Sequence, residues 1–404
     1  MSFLLHSNHT FLLVNQNNKY GLFCQLFTAS GITRPLSLQP SATNYYHATL
    51  DATGNPHIVN LPTSSRLTYF CYENNHFTKK NILELSPDDM TLSWPLIHYM
   101  DGQIHLFYLT YKVATRTYAF VHSLLGSLAT ETLFESTIVP QAFKSTIVAG
   151  KIYIFYTLFQ EAYCMRCIEF TPSTLEQYTL LTTSMPLIDY SFCIHEDTIH
   201  LCYVTQNVSQ YTLFYAQPLK NQITSIGTYT SLPLPTLFWY YHHLWLNTLV
   251  DHKLFVQLSI DGGQSFSLAV PSSLQGATTR HTFISSEVHT LAIHEVYAST
   301  QNAIRISILA ALDVEHIHFD IELPVELELL LEGLRLSNAS HAHASTLAAE
   351  NIELKAKLAS LEAKYAALPT SPSLTLPQRK PLSIQAAANA FMEESPQWDV
   401  PPLI

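Results

Sequence analysis

The stretch Ile104-His105-Leu106-Phe107-Tyr108 decides the fold, because near copies of it recur along the chain. Residues 152–156 read Ile-Tyr-Ile-Phe-Tyr, and residues 199–203 read Ile-His-Leu-Cys-Tyr. With four weaker copies included, the repeats are centred on Phe11, His57, His105, Tyr153, His200, Trp245 and His289. These centres follow one another at intervals of 44 to 48 residues. A regular period of this length indicates a repeat architecture in which each repeat is one supersecondary unit.

Each repeat reads as four short β-strands. In the third repeat the strands are predicted at residues 94–99, 104–110, 117–123 and 130–135. Tyr, Phe, Ile, Val and Thr dominate these runs, and a turn-forming pair precedes most of the centres. Four strands per repeat is the blade of a β-propeller, so residues 1–323 are predicted to form an all-β, seven-bladed β-propeller. A β-sandwich, a β-solenoid, and a ring of six or eight blades are the alternatives.

The composition changes after Pro324. Residues 326–368 are rich in Leu, Ala, Glu and Lys, and predict a helical segment or short coiled coil. Its seam is predicted at Leu347, Asn351, Leu354, Leu358, Leu361 and Tyr365. The helix is expected to dock on its own propeller or, as we prefer, on a copy of itself, making a homo-oligomer through residues 347–368. Residues 369–404 read as a disordered, Pro-rich tail with a short amphipathic stretch.

Composition and charge exclude several classes of partner. The 20 Lys and Arg residues against 31 Asp and Glu give a net charge of −11, so neither nucleic acid nor an anionic membrane is an expected partner. We find neither a run of ~20 apolar residues nor the cationic start of a secretory signal. Six cysteines are too few for a disulfide framework in 404 residues. Reduced thiols in a cytoplasmic protein are the expectation.

One local motif stands out in the sixth repeat, at residues 259–266. Its pattern Ser-Ile-Asp-Gly-Gly-Gln-Ser-Phe resembles the Asp-box (BNR-like motif) of sialidase-like propellers. The matching residues are Ser259, Asp261, Gly263, Ser265 and Phe266. In such a turn the Asp accepts backbone N–H groups and the Gly supplies positive φ. The resemblance implies a structural role, in the turn between the third and fourth strands of a blade.

Sialidase catalysis needs more than this motif. Such enzymes use several Arg residues around a carboxylate together with a nucleophile pair, whereas Arg280 alone precedes an inner strand here. The chain is therefore expected to have no catalytic residues, and an enzyme function is disfavoured. No cofactor is expected, since phosphate-loop and dinucleotide glycine patterns are absent from the sequence.

Cysteine and histidine pairs suggest metal or redox chemistry, which the strand pattern argues against. Cys164 and Cys167 have redox-motif spacing, but in a strand they point to opposite faces. His57, His105 and His200 occupy repeat positions that hold aromatic residues elsewhere, which favours packing over ligation. No metal site is predicted.

The segments that lead into the innermost strands offer the best candidate for a ligand or partner face. Their residues in repeats two to seven are Tyr45, Tyr46, Trp94, Phe143, Asp189, Tyr190, Trp239, Tyr240, Arg280 and His281. Packing between blades is the competing interpretation of these rings. The predicted function is a non-catalytic interaction or scaffold protein with an unknown protein or peptide partner. The alternative is a carbohydrate-binding or carbohydrate-active, sialidase-like propeller.

Overall fold

The computed structural model describes residues 2–307 together with Lys355 and Lys357. Gaps in this range fall at residues 9, 42, 75, 128, 241–242, 273, 275–276, 287–291 and 301–302. Lys355 and Lys357 are helical and exposed, whereas the predicted coiled-coil positions and the tail lie outside the described residues. None of the helices in the described residues has the length and apolar character needed to span a membrane.

The strands follow the predicted repeats. Repeat one contains β1 Phe3–Ser7, β2 Thr10–Asn17, β3 Gly21–Thr28, β4 Gly31–Ile32 and β5 Leu36–Gln39. Repeat two contains β6 Tyr46–Leu50, β7 Pro56–Thr63, β8 Arg66–Glu73 and β9 His76–Glu84. Repeat three contains β10 Met90–Met100, β11 Gln103–Lys112, β12 Thr117–Leu124 and β13 Thr130–Ser136. Repeat four contains β14 Gln141–Val148, β15 Lys151–Phe159, β16 Tyr163–Phe170 and β17 Leu175–Thr183.

The later repeats are less regular. Repeat five contains β18 Leu187–His195, β19 Thr198–Asn207, β20 Gln210–Gln217, a 3-10 turn at Pro218–Lys220, and β21 Gln222–Tyr229. Repeat six contains β22 Leu234–Tyr240, β23 His243–Val250, β24 Lys253–Ser259 and β25 Val270–Pro271. The seventh contains β26 Thr278–Ser285, β27 Ala292–Ile293, β28 Glu295–Ser299 and β29 Arg305–Ile306.

Repeats two to five each form a separate four-stranded sheet in which the strands follow chain order. Neighbouring strands within each sheet are antiparallel, because they are joined by short turns. In the third repeat the observed strands contain all four predicted segments, and the earliest extends the prediction by four residues at its start. The prediction of an all-β, propeller-like fold is confirmed.

The first, sixth and seventh repeats are connected differently from the prediction. Strand β26 pairs in parallel with β1, so β26, β28 and β29 belong to the sheet of the first repeat. Strand β27 pairs instead with β22 of the sixth repeat. The described residues therefore contain seven groups of strands in six hydrogen-bonded sheets. The predicted centre of the last repeat, His289, lies outside the described residues, and the strand antiparallel to β26 is β28.

The core lies between the sheets, as one layer of buried side chains for each pair of successive repeats. Between repeats three and four, for example, the ring of Phe143 stacks on Phe120 and Tyr156 at 4.9 and 5.3 Å. The last layer joins Phe238 of repeat six, Phe283 of repeat seven and residues of repeat one. Because contacts lead from the last repeat back to the first, the repeats close into a ring. An open solenoid would leave its terminal repeats unpaired.

Cysteines and second-strand histidines serve this packing. Cys167 is buried in the layer between repeats four and five, whereas Cys164 packs against the layer between repeats three and four. The two thiols thus point to opposite faces of β16, as predicted, and every described cysteine is free. His200 Nδ1 lies 2.7 Å from the Tyr215 hydroxyl, and His105 Nδ1 lies 3.0 Å from His122 Nε2. These histidines have local partners within their own sheets.

Candidate functional site

The innermost strands of successive repeats begin at the same level, where their side chains contact one another. The ring of Tyr45, just before β6, lies 5.2 Å from the ring of Trp94 in β10. Trp94 in turn lies 5.8 Å from Phe143 in β14, and the Tyr190 hydroxyl of β18 donates to the carbonyl of Ala142. The innermost strands therefore start on one side of the ring, which we call the upper face. The opposite side, where they end, is the lower face.

Eight of the ten residues predicted for a ligand face lie at this level, but they differ in exposure. The buried ones are Tyr46, Phe143, Tyr190 and His281. The accessible or partly accessible ones are Tyr45, Trp94, Asp189 and Arg280. Packing between blades thus explains the first group, and only the second group can meet a ligand.

The other two predicted residues, Trp239 and Tyr240, are at the wrong end of their strand. Both lie at the end of β22, where Tyr240 pairs with His243, so they belong to the lower face. Trp239 stacks on His195 with ring centroids 4.1 Å apart. Alignment of the repeats in the sequence misplaced these two residues. The sixth repeat has no clear turn motif before its second strand, so the end of its first strand was not marked. Leu234 and Pro235 begin β22 instead.

A bidentate ion pair joins two of the predicted residues across the upper face. The guanidinium of Arg280 donates to both carboxylate oxygens of Asp189, at 2.6 and 3.1 Å. It also donates to the carbonyl of Pro235 at 3.2 Å. Parallel N–H···O bonds of this kind fix the planes of both groups. The pair connects repeats five, six and seven.

A second, more deeply buried ion pair lies beside the first. Lys144 Nζ of β14 donates to Glu295 Oε1 of β28 at 2.7 Å, and both side chains are less than 10% exposed. Arg280 Nε lies 3.7 Å from the same carboxylate oxygen, and Lys144 Nζ lies 4.0 Å from Asp189. Burial alone would raise the pKa of Glu295, but the charges of Lys144 and Arg280 lower it to about 2. Two cations and two carboxylates thus neutralise each other at the centre of the ring.

Irregularities in three consecutive innermost strands position these groups. The pairing register shifts between Ser93 and Leu96, between Gln141 and Lys144, and between Leu187 and Asp189. A bulge of this kind re-aims the side chains that follow it. Trp94 and Ala142 also have positive φ, at 49° and 51°, which is uncommon for residues other than Gly. The three bulges lie next to Trp94, Lys144 and Asp189, which make the aromatic contacts and ion pairs described above.

Three buried histidines, His47, His98 and His294, lie along the axis of the ring next to these charged groups. Ser145 Oγ lies 2.7 Å from His98 Nε2 and 3.4 Å from His47 Nε2. Burial lowers the pKa of His47 to about 3 and that of His294 to about 4. Two cavities of about 340 and 380 Å³ lie along these strands, and His294 lines both. The axial histidines are therefore uncharged at neutral pH.

Glu295 is not suited to act as a general acid. A general acid needs a raised pKa, whereas that of Glu295 is lowered by its cationic neighbours. Within the described part of the chain, no three His, Cys, Asp or Glu side chains are grouped so that they could hold a metal ion. Of the four charged side chains in this group, Arg280 is the most exposed, at 24%.

The residues of the Asp-box resemblance form an ordered turn between β24 and β25. Asp261 accepts hydrogen bonds from the Ser265 backbone at 3.0 Å and from the hydroxyls of Ser259 and Ser265 at 2.8 and 2.6 Å. The Tyr215 hydroxyl of repeat five donates to the carbonyl of Gly262 at 3.0 Å. The turn thus attaches repeat six to repeat five. The fourth strand that follows this turn is short, since β25 comprises only Val270 and Pro271.

Sequence reasoning missed Lys144 and Glu295, the most buried charges of the site. A signal was present, because Lys144 directly follows Ala142-Phe143 in a strand that has no other charged residue. A lysine in such a place is seldom buried without an acidic partner. The partner itself, 151 residues further along the chain, could not be identified from spacing.

Comparisons with known proteins leave the function open. No protein-family profile and no curated protein match the chain. Among solved structures it is similar to the polysaccharide lyase Uly1, with 10% identity, a TM-score of 0.47, and coverage of 76% of this chain and 88% of that one. The SapL1 lectin solved with alpha methyl fucoside has 9% identity and a TM-score of 0.41, and the match covers 67% of this chain and 94% of that one. A chain of the Nidogen/Laminin complex has 12% identity and a TM-score of 0.40, and the match covers 64% of this chain and 92% of that one. At these values none of the three assigns a ligand or an activity.

Proposed function

We propose that this chain is a non-catalytic recognition protein whose propeller-like ring presents the upper face to an extended peptide segment of a partner protein. The observation that carries this proposal is the pairing of charges at the centre of that face. Arg280 is engaged by Asp189, and Lys144 by Glu295, so these groups stiffen the platform instead of acting on a substrate. A rigid platform lowers the entropic cost of binding a flexible segment.

The periphery of the upper face supplies apolar contact area. Large apolar side chains are exposed at or just before the starts of the innermost strands, and in or next to the turns between second and third strands. They are Tyr45, Val113, Val139, Phe159, Met185, Ile188 and Val208. Exposed aromatic and aliphatic groups around a rigid polar centre are typical of a protein-binding surface.

A saccharide is the second candidate ligand, favoured by the Tyr45 and Trp94 rings. They meet edge to face at an interplanar angle of 66°, with Tyr45 37% exposed. Aromatic rings bind the apolar faces of sugars, and Arg280 and Asp189 on the same face offer polar partners. A lectin role would use the same upper face.

The C-terminal segments of the chain extend this proposal. Residues 347–368 would join copies of the protein, and the tail at 369–404 would then be presented more than once, which raises the avidity of weak contacts. A cytoplasmic location with reduced thiols fits the six cysteines. The Asp-box resemblance adds a structural turn to the sixth blade.

A screen of the full chain separates the two ligand classes. A displayed peptide library and a sugar panel with generic glycosidase substrates are tested in parallel, and hits are measured again with Trp94→Ala. Leu219→Ser is the matched control, because Leu219 is 63% exposed in the turn after β20, on the lower face. We expect peptide hits that weaken at least tenfold with Trp94→Ala alone. Saturable sugar binding without peptide hits favours the lectin, and substrate turnover contradicts both.

A further inference from the structure

A cavity of about 750 Å³ lies between repeats one and two, separate from the upper face. Its walls come from β1 to β3, β5, the turn between β6 and β7, and strands β8 and β9. It is about twice the volume of either axial cavity. Cavities of this size commonly hold a small organic ligand.

The cavity results from an interruption in the outer strand of repeat one. Strands β4 and β5 are separated by residues 33–35, where Pro35 has no N–H to donate. Thr33 takes over the pairing there, since its backbone N–H donates to Leu26 at 2.9 Å and its hydroxyl accepts from Leu26 at 3.0 Å. Leu36, which follows, is 53% exposed at the cavity mouth. The hydrogen bonds between Thr33 and Leu26 therefore hold the backbone at the opening of the cavity in place.

Much of the cavity wall is apolar, although Ser, Thr and Asn side chains also line it. Its wall includes the side chains of Leu5, Leu12, Cys24, Leu38, Leu50, Phe70 and Phe77. The corresponding layer between repeats three and four is filled by stacked rings, with Phe134 and Tyr156 at 4.9 Å. Repeat one has the small Cys24 in its layer, which leaves space beside Phe70.

The charge at the cavity is positive, although the whole chain has a net charge of −11. The cations Arg34 and Lys79 line it, and the described lining residues include neither Asp nor Glu. Lys79 Nζ lies 5.9 Å from the centre of the Phe70 ring and is held by Gln39 Oε1 at 2.6 Å. The nearby Asp51 already accepts hydrogen bonds from Thr53 and Asn55 and is paired with His57.

We propose that this cavity binds a small organic anion with an apolar body, such as a medium-chain carboxylate. The acyl chain packs against Phe70 and Phe77, and the carboxylate lies between Arg34 and Lys79. Charge complementarity supports the anion, and the volume and lining support the apolar body. The inference is independent of what the upper face binds.

Titration calorimetry of the full chain with decanoate and with decan-1-ol tests both parts of the inference. The variant Arg34→Glu/Lys79→Glu replaces two exposed cations, so the fold is expected to be unaffected, and thermal unfolding checks this. Lys80→Glu is the matched control, because Lys80 is exposed but points to the other face of β9. We expect one decanoate per chain, weakened at least tenfold in the double variant and less than threefold in the control.

Decan-1-ol separates the apolar contribution from the electrostatic one. Its binding should change less than threefold in the double variant, because it lacks the charge that Arg34 and Lys79 attract. If decanoate binds the double variant as tightly as the unaltered chain, or if the unaltered chain binds neither compound, the proposal is wrong. Neither result bears on the peptide or sugar binding of the upper face.

Discussion

The guanidinium of Arg280 and the carboxylate of Asp189 share two hydrogen bonds across the ring, although 91 residues separate them in sequence. Asp189 is 13% exposed and Arg280 24% exposed, so water screens their attraction weakly. The pair links the innermost strand of repeat five to that of repeat seven. It therefore stabilises ring closure as well as the upper face.

We expect Arg280→Gln to lower the free energy of unfolding by about 3 kcal/mol, because it removes the bidentate partner of Asp189 and leaves only Lys144, at 4.0 Å, as a nearby cation. Arg66→Gln is the matched control, since Arg66 pairs with Glu84 where both side chains are more than 40% exposed. The control should cost less than about 1 kcal/mol. Urea unfolding measures both. Equal losses in the two variants would show that the Arg280 pair contributes no more than a surface pair.

The axial histidines make stability depend on pH. Burial lowers the pKa of His47 to about 3, and those of His281 and His294 to about 4, from 6.5. Below pH 6.5 the unfolded chain binds protons that the folded chain excludes, so stability falls as the pH falls. At pH 5 the loss should be roughly 2 kcal/mol per histidine.

Urea midpoints between pH 7 and pH 5 measure this slope. His47→Gln should reduce it, whereas His76→Gln, at an exposed position, should leave it unchanged. A slope that is the same in all three proteins would contradict neutral burial of His47.

Gly263 is constrained by its neighbour in repeat five. A Cβ atom there would lie 2.1 Å from the Tyr215 ring, and φ is +96°. We expect Gly263→Ala to destabilise the protein by at least ~3 kcal/mol. Gly262→Ala, with φ +69° and open space around it, should cost about 1 kcal/mol. Thermal unfolding compares the two variants, and a milder effect at Gly263 would mean that the turn does not pack on Tyr215.

Asp261 organises the same turn through its acceptor oxygens. Asp261→Ala should cost about 1–3 kcal/mol, since the Ser265 backbone N–H loses its partner. Binding of any ligand should persist in the folded fraction. Loss of binding at unchanged thermal stability would instead assign Asp261 to a binding site.

Ring closure predicts that repeats cannot be removed singly. Deleting residues 139–186, about one repeat, should abolish soluble expression, because the layers of repeats three and five no longer meet at the required angle. Circular dichroism and denaturant unfolding characterise any soluble product. A soluble deletion with one cooperative transition would indicate an open array.

The predicted helix is tested by sedimentation of the full chain against a version that ends at Pro324. We expect the full chain to sediment as an oligomer at tens of micromolar and the shorter chain as a monomer, because an exposed short helix is marginal by itself. Two monomers would contradict self-association through residues 347–368.

Much of the fold was predictable because its signals are local. The copies of Ile104-His105-Leu106-Phe107-Tyr108 in the sequence located the second strand of six repeats. Turn-forming pairs such as Asp101-Gly102 marked where strands end. Where the turn signal was missing, near residue 241, the sixth innermost strand was misplaced and Trp239 was assigned to the wrong face. Periodicity therefore predicts a strand and its register only where a local turn motif marks the end of the strand.

The sequence by itself determined the β-strand repeats, the opposite orientations of Cys164 and Cys167, the packing of the second-strand histidines, and the turn around Asp261. Only the tertiary structure decided that Arg280 meets Asp189, that Lys144 meets Glu295, and that an interrupted outer strand opens a cavity between repeats one and two. The physical reason is that strand formation depends on neighbouring residues, whereas these contacts depend on the curvature that all the repeats produce together. A charge near the axis has a partner only once the ring has closed.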